Sequence, residues 1–430
     1  MTPSRAAPAR PTAVRFGIAA LLFGVITLTF IDRFNMNVAA HAIQLEFDLS
    51  DIQIGTLLSA FVLGYALFQI PGGMLCDRFG PRRALFFAIL AWSAGTALTA
   101  AAPDLPWLGI IGSFWVFRFM VGVGEAPAFP SANKMVGLWM APHERARGTS
   151  LFILGVGAGG TLAPPIIAWV VQEFGWRVNF LACGALGVLV ACAWRAWSSE
   201  TPASDPRVND AERALIGPPA AAMMRFSEVP WRRILASRSV WALAASNFLL
   251  GYVSYIFYTW FYLYVVNVRK LPVIEGSYWA TAPFLVMATA APLGGYVSDR
   301  LVRTSGLCWG RRLPVMGGAI AACLLLVAGG RLENPYWAIA VLAVAGGCNT
   351  FAAVVHWALP LDLARSCSGS LSGLLNCANN LGGTLSPILT PAIAAAWGWT
   401  TALDVAAFAI LAMGALWFFV SPDHKLSTSF

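Results

Sequence analysis

Charge is scarce in this sequence. Only 11 % of its 430 residues are Asp, Glu, Lys or Arg, whereas about a quarter are charged in soluble globular domains. With 58 % hydrophobic residues beside it, that shortage excludes a soluble fold. Histidine is rarer still, at four residues. The eight cysteines (76, 183, 192, 308, 323, 348, 367 and 377) are scattered, mostly in apolar runs, without metal-like paired spacing, and read as free packing thiols. No Ser/His/Asp grouping, metal-ligand cluster or phosphate-binding glycine loop stands out, so neither an enzyme nor a cofactor or metal is expected. Acidic residues are fewer than basic ones, 20 against 28, giving a formal charge of +8. A basic balance invites a nucleic-acid partner, but these arginines fall in alternate loops between apolar runs, as the positive-inside rule requires of a polytopic membrane protein. The expected partner is a lipid bilayer, with no nucleic acid.

Apolar runs of bilayer-spanning length are abundant. Twelve helices are expected, near 14–38, 51–75, 82–102, 107–134, 145–171, 177–197, 239–268, 277–301, 312–330, 335–360, 368–396 and 399–421. Met1 to Arg15 has the basic character of a signal peptide, but the apolar run continues into Asp32 and Arg33, so an uncleaved first span is expected. Loops on one side carry Arg78, Arg82, Arg83, Arg145, Arg147, Arg207, Arg213, Arg300, Arg303 and Arg311 among others, against Arg177, Arg269, Lys270 and Arg331 on the other. An even span count then puts both termini in the cytoplasm. The one long polar stretch, 198–237, divides a first six-helix unit (1–197) from a second (238–430). It is expected to act mainly as a linker, with a short surface helix near Asp210 to Ile216.

Against this apolar background, a few charges lie within the spans. The fourth span carries Arg118 and Glu125, seven residues apart and therefore on one helical face about 10 Å apart along the axis, too far to neutralise each other. A charge at the bilayer centre costs roughly 2.5–3.5 kcal/mol on insertion scales, so such groups read as functional. Asp32 and Arg33 stand in the first span. With Asp32 toward the outer side, Glu125 toward the cytoplasm and Arg118 between them, the expected layout is a proton path with an acid near each end.

The two units are repeats. The Gly-Met-Leu-Cys-Asp-Arg run at 73–78 answers Gly-Tyr-Val-Ser-Asp-Arg at 295–300, with Asp77 and Asp299 separated by 222 positions. Gly-Gly-Thr-Leu-Ala-Pro at 159–164 answers Gly-Gly-Thr-Leu-Ser-Pro at 382–387, and Gly175-Trp176 answers Gly398-Trp399, both 223 apart. The same offset carried from Asp32, Arg118 and Glu125 meets no acid or arginine, so coupling is expected to reside in the first unit alone. The expected fold is an all-α membrane protein of two pseudo-symmetric six-helix bundles around a central cavity, working by alternating access.

The loop Gly73, Asp77, Arg78, Gly80, Arg82, with its weaker copy through Asp299 and Arg300, resembles the signature loop of the major facilitator superfamily. That resemblance implies a conformational latch at the cytoplasmic face. More narrowly, Asp32-Arg33, Tyr65 with Gln69 and Gly73, and Arg118 followed by the Gly-Glu-Ala-Pro-Ala-Phe-Pro run at 124–130 resemble the anion:cation symporter family, nearest its bacterial D-galactonate-type sugar-acid:proton symporters. The resemblance implies a monomeric transporter in the bacterial inner membrane that carries a small organic anion together with protons. Asp32 and Glu125 would be the proton carriers, and Arg33, Tyr65, Gln69 and Arg118 would surround the substrate. In the second half, Tyr255 and Trp260 of span seven, His356 of span ten, and Asn376 and Asn379 of span eleven are further substrate-binding candidates, though packing is an open alternative for each. Span seven reads Trp260-Phe261-Tyr262 where sugar-acid carriers tend to have Trp-Phe-Pro, so an aromatic or other small carboxylate is an alternative substrate. A drug antiporter usually has a proline before the paired glycines of span five, whereas Gly159 and Gly160 precede Pro164. An organophosphate antiporter typically needs an arginine within span seven, where none precedes Arg269.

Overall fold

A computed structural model describes residues 10–105, 108–141, 144–217, 231–363 and 368–421. All the expected spans are helical, and no strand occurs among the described residues. The first bundle comprises α1 (Val14–Phe47), α2 (Asp51–Phe79), α3 (Pro81–Thr99), a broken span of α4 (Gly109–Glu125) and α5 (Ala128–Trp139), α6 (Arg145–Phe174) and α7 (Trp176–Trp197). The connecting stretch carries α8 (Asp210–Ile216) and α9 (Trp231–Ala236). The second bundle opens with α10 (Arg238–Tyr255), which continues through the short α11 (Phe261–Leu263) to Val268. It then runs through α12 (Val273–Trp279), α13 (Ala282–Arg331), α14 (Pro335–Leu363), α15 (Ser368–Trp397) and α16 (Trp399–Ala415).

Among the described residues nine helical stretches are long and apolar enough to cross a membrane, and one of them, Val273–Arg331, spans 59 residues and can cross twice. It breaks at Gly306, whose φ of 77° suits glycine alone. With the more polar α3 and α15, twelve crossings result. Large apolar side chains such as Leu189 and Phe408 face outward, 67 % and 69 % exposed, as a lipid-facing surface requires.

The internal repeat survives in the backbone. Gly175 and Gly398 adopt nearly the same left-handed conformation, φ 85° ψ 159° and φ 86° ψ 161°, each starting the last span of its bundle. The bundles are tied at the same corner as well. Arg82 donates to the Arg195 carbonyl at 2.7 Å, and Arg312 to the Phe418 and Val420 carbonyls at 3.0 and 2.6 Å, joining third span to sixth in both halves.

Within the first bundle α1 packs on α6, α2 on α4, and α3 on α4 and α7. The α2–α4 contact is close because Gly122 lies where a Cβ would stand 2.1 Å from the Phe61 carbonyl oxygen. The bundles meet chiefly along α2 and α15. Four hydrogen bonds cross this seam among the described residues: Asn37 to the Tyr258 carbonyl, Ser59 to the Thr384 carbonyl at 2.7 Å, Asn267 to Gln44 at 3.3 Å and Asn376 to Gln69 at 2.6 Å.

The connecting stretch is anchored before it reaches the second bundle. Glu212 of α8 is fully buried against the start of α1. It accepts from the backbone N–H groups of Val14 (3.3 Å) and Arg15 (3.1 Å) and from Arg15 Nη1 (2.9 Å), while Arg15 Nε donates to Glu144 at 2.7 Å. An acid at this place satisfies N–H groups that a helix start leaves orphaned. Nearby, hydrogen bonds from Arg207 hold the buried Asp205 carboxyl down to about 2, so that turn keeps its ion pair at physiological pH. Breaking a buried pair by removing one partner costs about 3 kcal/mol or more. Glu212→Ala should therefore lower the apparent melting temperature in detergent by several degrees. Asp210→Ala, whose side chain is 98 % exposed, should leave it unmoved. Equal losses in the two variants would show that α8 docks as a whole and not through Glu212.

Candidate functional site

Helix lengths set the depth of the charged residues. The first helix runs on past residue 38 to Phe47, and the broken fourth span ends at Trp139. Asp32 and Arg33 consequently lie near the middle of α1, and Glu125 near the middle of the α4–α5 span. The expected order of acid, arginine, acid across the membrane is thereby corrected: all four charges form one cluster at mid-depth. Its centre is an ion pair that sequence spacing did not reveal. Arg33 Nη2 stands 2.5 Å and Nε 2.6 Å from Glu125 Oε1, with the Glu125 side chain wholly buried.

Aromatic faces hold both guanidinium groups. The Arg33 guanidinium lies 4.6 Å from the Tyr65 ring centre, 4.9 Å from Phe30 and 5.4 Å from Phe61, and that of Arg118 lies 5.1 Å from Phe61. The Phe61 ring thus touches both cations, within the distance at which a ring attracts a cation. Arg118 differs from Arg33 in having no carboxylate at bonding distance. It is 1 % exposed, and its Nε and Nη1 make no hydrogen bond. A buried guanidinium with unused donors is costly, and the planar fork suits a carboxylate.

Both arginines line a small cavity between the bundles, closed from the second side by Tyr255, Tyr258 and Thr259. Span seven is irregular here: Ile256–Trp260 and Tyr264–Val268 are π-helical turns, a departure concentrated at functional sites. The tyrosines of this span divide. Tyr255 and Tyr258 face the cavity, whereas Tyr252 lies 3.4 Å from Thr390 inside the second bundle.

A polar relay leads away from the cavity. Tyr255 donates to Asn380 Oδ1 at 2.9 Å, Asn380 Nδ2 to Asn376 Oδ1 at 3.0 Å, and Asn376 Nδ2 to Gln69 Oε1 at 2.6 Å. Gln69 keeps an unused Nε2. Of the expected site residues, Arg33, Arg118 and Tyr255 line the cavity; Glu125 and Tyr65 touch Arg33, Asp32 stands by Arg118, and Asn376 and Gln69 are reached through the relay. Asn380 joins them. Asn380 is next to Asn379 in the chain, and sequence alone does not say which of the span-eleven asparagines turns inward.

Three expected residues lie elsewhere. Trp260 is 1 % exposed, donates to the Pro387 carbonyl at 3.0 Å and packs on Trp399. His356 is buried between Ser246 (2.8 Å) and Trp417 (3.0 Å) in the interior of the second bundle. Asn379 donates to the Asn247 carbonyl at 3.1 Å and so ties α15 to α10. In each case a neighbouring helix offers a partner nearer than the cavity.

At the loop end, Gly80 has φ 83° and gives the sharp turn between α2 and α3, and a Cβ there would stand 2.2 Å from Glu200. Gly73 lies in open space, and Arg78 and Arg300 are exposed. Asp299 pairs with Arg311 of its own bundle at 3.1 Å, and Arg82 bonds within the first. The side chain of Asp77 lies outside the described residues.

A family model described as the Major Facilitator Superfamily matches residues 22–385. Among curated proteins, a probable galactarate/D-glucarate transporter of Bacillus subtilis is 29 % identical over 401 residues, covering 90 % of this chain and 88 % of that one. The D-galactonate transporter of Escherichia coli O6:H1 is 28 % identical over 420 residues, 95 % of each chain. A chloroplastic sodium-dependent phosphate transport protein of Arabidopsis thaliana is 29 % identical over 415 residues, 96 % of this chain and 80 % of that one. Among solved structures, a bacterial homolog of the human lysosomal transporter Spinster, inward-facing and occupied, matches with a TM-score of 0.75 at 20 % identity, covering 95 % of this chain and 97 % of that one. That last likeness is one of fold.

Proposed function

The chain belongs to the Major Facilitator Superfamily, and on that premise we propose that it is an importer of small organic anions, sugar acids foremost, coupled to protons. The observation that carries this reading is Arg118: buried, with two unused donors, on a cavity between the bundles and beside two carboxyl groups. The names of the sugar-acid relatives support the same class.

Charge accounting gives the cycle. With Asp32 and Glu125 both ionised, the two acids balance Arg33 and Arg118. A monoanion entering that neutral cluster leaves it negative, at the cost of burying net charge. One proton on Asp32 or Glu125 restores neutrality, so substrate and proton favour each other. Arg118 takes the carboxylate, Arg33 passes between Glu125 and the anion, and Gln69 and the Tyr255–Asn380–Asn376 relay meet substrate hydroxyls. The coupling also has an energetic purpose, since an anion entering alone climbs about 2.3 kcal/mol per 100 mV against an inside-negative potential.

The arginine-rich loops put the 198–237 stretch and both termini on the cytoplasmic side of a bacterial inner membrane. The Gly73–Arg82 loop and its copy at Asp299–Arg300 would latch that face in the alternate conformation. The protein acts as a monomer, each chain holding a complete cavity.

The decisive experiment is uptake into proteoliposomes of purified protein with an imposed pH gradient. D-Galactonate, D-galactarate and an aromatic carboxylate would be offered in parallel. Accumulation of a sugar acid that collapses with the gradient is the expected result. Uptake of all three indifferent to the gradient would end the proton-symport reading, and accumulation of the aromatic acid alone would move the substrate class.

A further inference from the structure

Behind the cavity, inside the first bundle, buried polar groups face one another. Both oxygens of Asp32, the indole N–H of Trp92 and the hydroxyl of Thr96 lie within reach of one another without a hydrogen bond of good geometry, and all three residues are fully buried. Trp92 and Thr96 are four residues apart on one face of α3, and both stand next to the Asp32 carboxyl group. The indole's helix is fixed in place by α4: a Cβ on Gly124 would stand 2.8 Å from the Trp92 backbone nitrogen, one residue before Glu125. Buried polar groups are almost always bonded, and several under-bonded groups gathered around one carboxyl group point to a functional role for that place.

The two donors are not equivalent. An indole N–H only donates, so it bonds the ionised carboxylate and cannot accept from the O–H of the protonated acid. A threonine hydroxyl donates or accepts, and so serves either form.

We propose that Trp92 and Thr96 are positioning residues for the proton carrier: both donate to ionised Asp32, and Thr96 turns to accept from its O–H once the proton arrives. The proposal rests on the proton-symport reading above. It explains how Asp32 can carry charge in a bundle interior while Arg118, the cation that acts on it, is left free for the substrate. The charged and titratable groups around Asp32 are Arg118 and Glu125 from α4, Cys183 from α7, and Arg33, its chain neighbour, which turns to Glu125. Neither Trp92 nor Thr96 is among the residues lining the cavity, so their effect on the substrate runs through Asp32.

The test is the pH profile of D-galactonate uptake in proteoliposomes, with internal pH fixed and external pH varied. Removing a donor that favours the ionised acid lets Asp32 hold its proton to higher pH. Trp92→Phe, which keeps a ring and loses the N–H, should move the alkaline midpoint upward by about one pH unit, a tenfold change in proton affinity. Thr96→Val, which keeps shape and loses a bond to either form, should move it upward by less, because the bond to the ionised carboxylate is the stronger of the two. Thr96→Ser should keep the wild-type midpoint. If Trp92→Phe fails to fold, the isosteric Thr96→Val still decides. Wild-type midpoints in both Thr96→Val and Trp92→Phe, beside a pH-dependent wild type, would overturn the proposal alone. A wild type without pH dependence would overturn it together with the symport reading.

Discussion

Arg118→Lys should weaken binding of the transported anion roughly 10- to 100-fold, about 1.5–3 kcal/mol, the range of hydrogen bonds made by charged groups. The substitution keeps a positive charge, so the loss isolates geometry. Arginine offers a carboxylate two parallel N–H donors, while an ammonium is a point charge on a flexible stem. In the structure the guanidinium is also held over Phe61, a contact that fixes its plane before substrate arrives. Arg118→Gln, which removes the charge too, should abolish saturable uptake. The measurements are the KM for D-galactonate uptake and the ligand-induced thermal shift of purified protein. An unchanged KM in Arg118→Lys would reduce Arg118 to a packing partner of Asp32.

Accumulation should disappear entirely in Glu125→Gln, with substrate exchange across the membrane retained. Glutamine imitates the protonated acid, so the variant behaves as a carrier that never releases its proton. The ion pair adds a second expectation. Arg33 loses a partner at 2.5 Å, and an uncompensated buried charge of this kind costs about 3–5 kcal/mol. The substrate-free variant should therefore melt earlier than wild type, and a saturating anion, which supplies the missing charge, should raise its melting temperature by more than it raises that of wild type. Asp32→Asn should also lose accumulation, but the anion should stabilise it less than Glu125→Gln, because Asp32 has no ion-pair partner to orphan. Normal accumulation in both variants would remove proton coupling from these two acids.

Much of this was readable from sequence, for identifiable reasons. Span number and duplication follow from apolar runs and from short motifs at constant offset, and Gly175 and Gly398 keep that correspondence down to their dihedral angles. The charged members of the cavity, Arg33 and Arg118, were also readable, since a charge within an apolar run needs a reason to be there; Tyr255 apart, its aromatic and aliphatic walls were not. Nor was the mutual arrangement of the charged groups. Depth was misjudged because helix ends carry polar residues that hydropathy assigns to loops: α1 continues through His41, Gln44 and Glu46. Pairing of Arg33 with Glu125, 92 positions apart, depends on how the bundle sets α1 and α4 relative to each other and has no sequence period. The same holds for Asn379 and Asn380, adjacent in the chain but turned to different neighbours.

The seam between the bundles carries a consequence for repeated cycling. Asn37 and Ser59 of the first bundle donate to the main-chain oxygens of Tyr258 and Thr384. A carbonyl has two lone pairs, so those helices keep their own bonds whether or not the seam is engaged. Parting the bundles at these two bonds orphans nothing on the second side, and water can take up the two donors on the first; Asn267 and Asn376, which donate to Gln44 and Gln69, are the second bundle's side chains that lose a partner. Such a joint works like a zip: it fastens and unfastens many times without either side having to be refitted. Its sensitivity lies in thickness, since a Cβ on Gly55 would come within 1.9 Å of the Pro387 oxygen. At that point the close fit of the two facing helices, and not side-chain chemistry, sets what the seam tolerates.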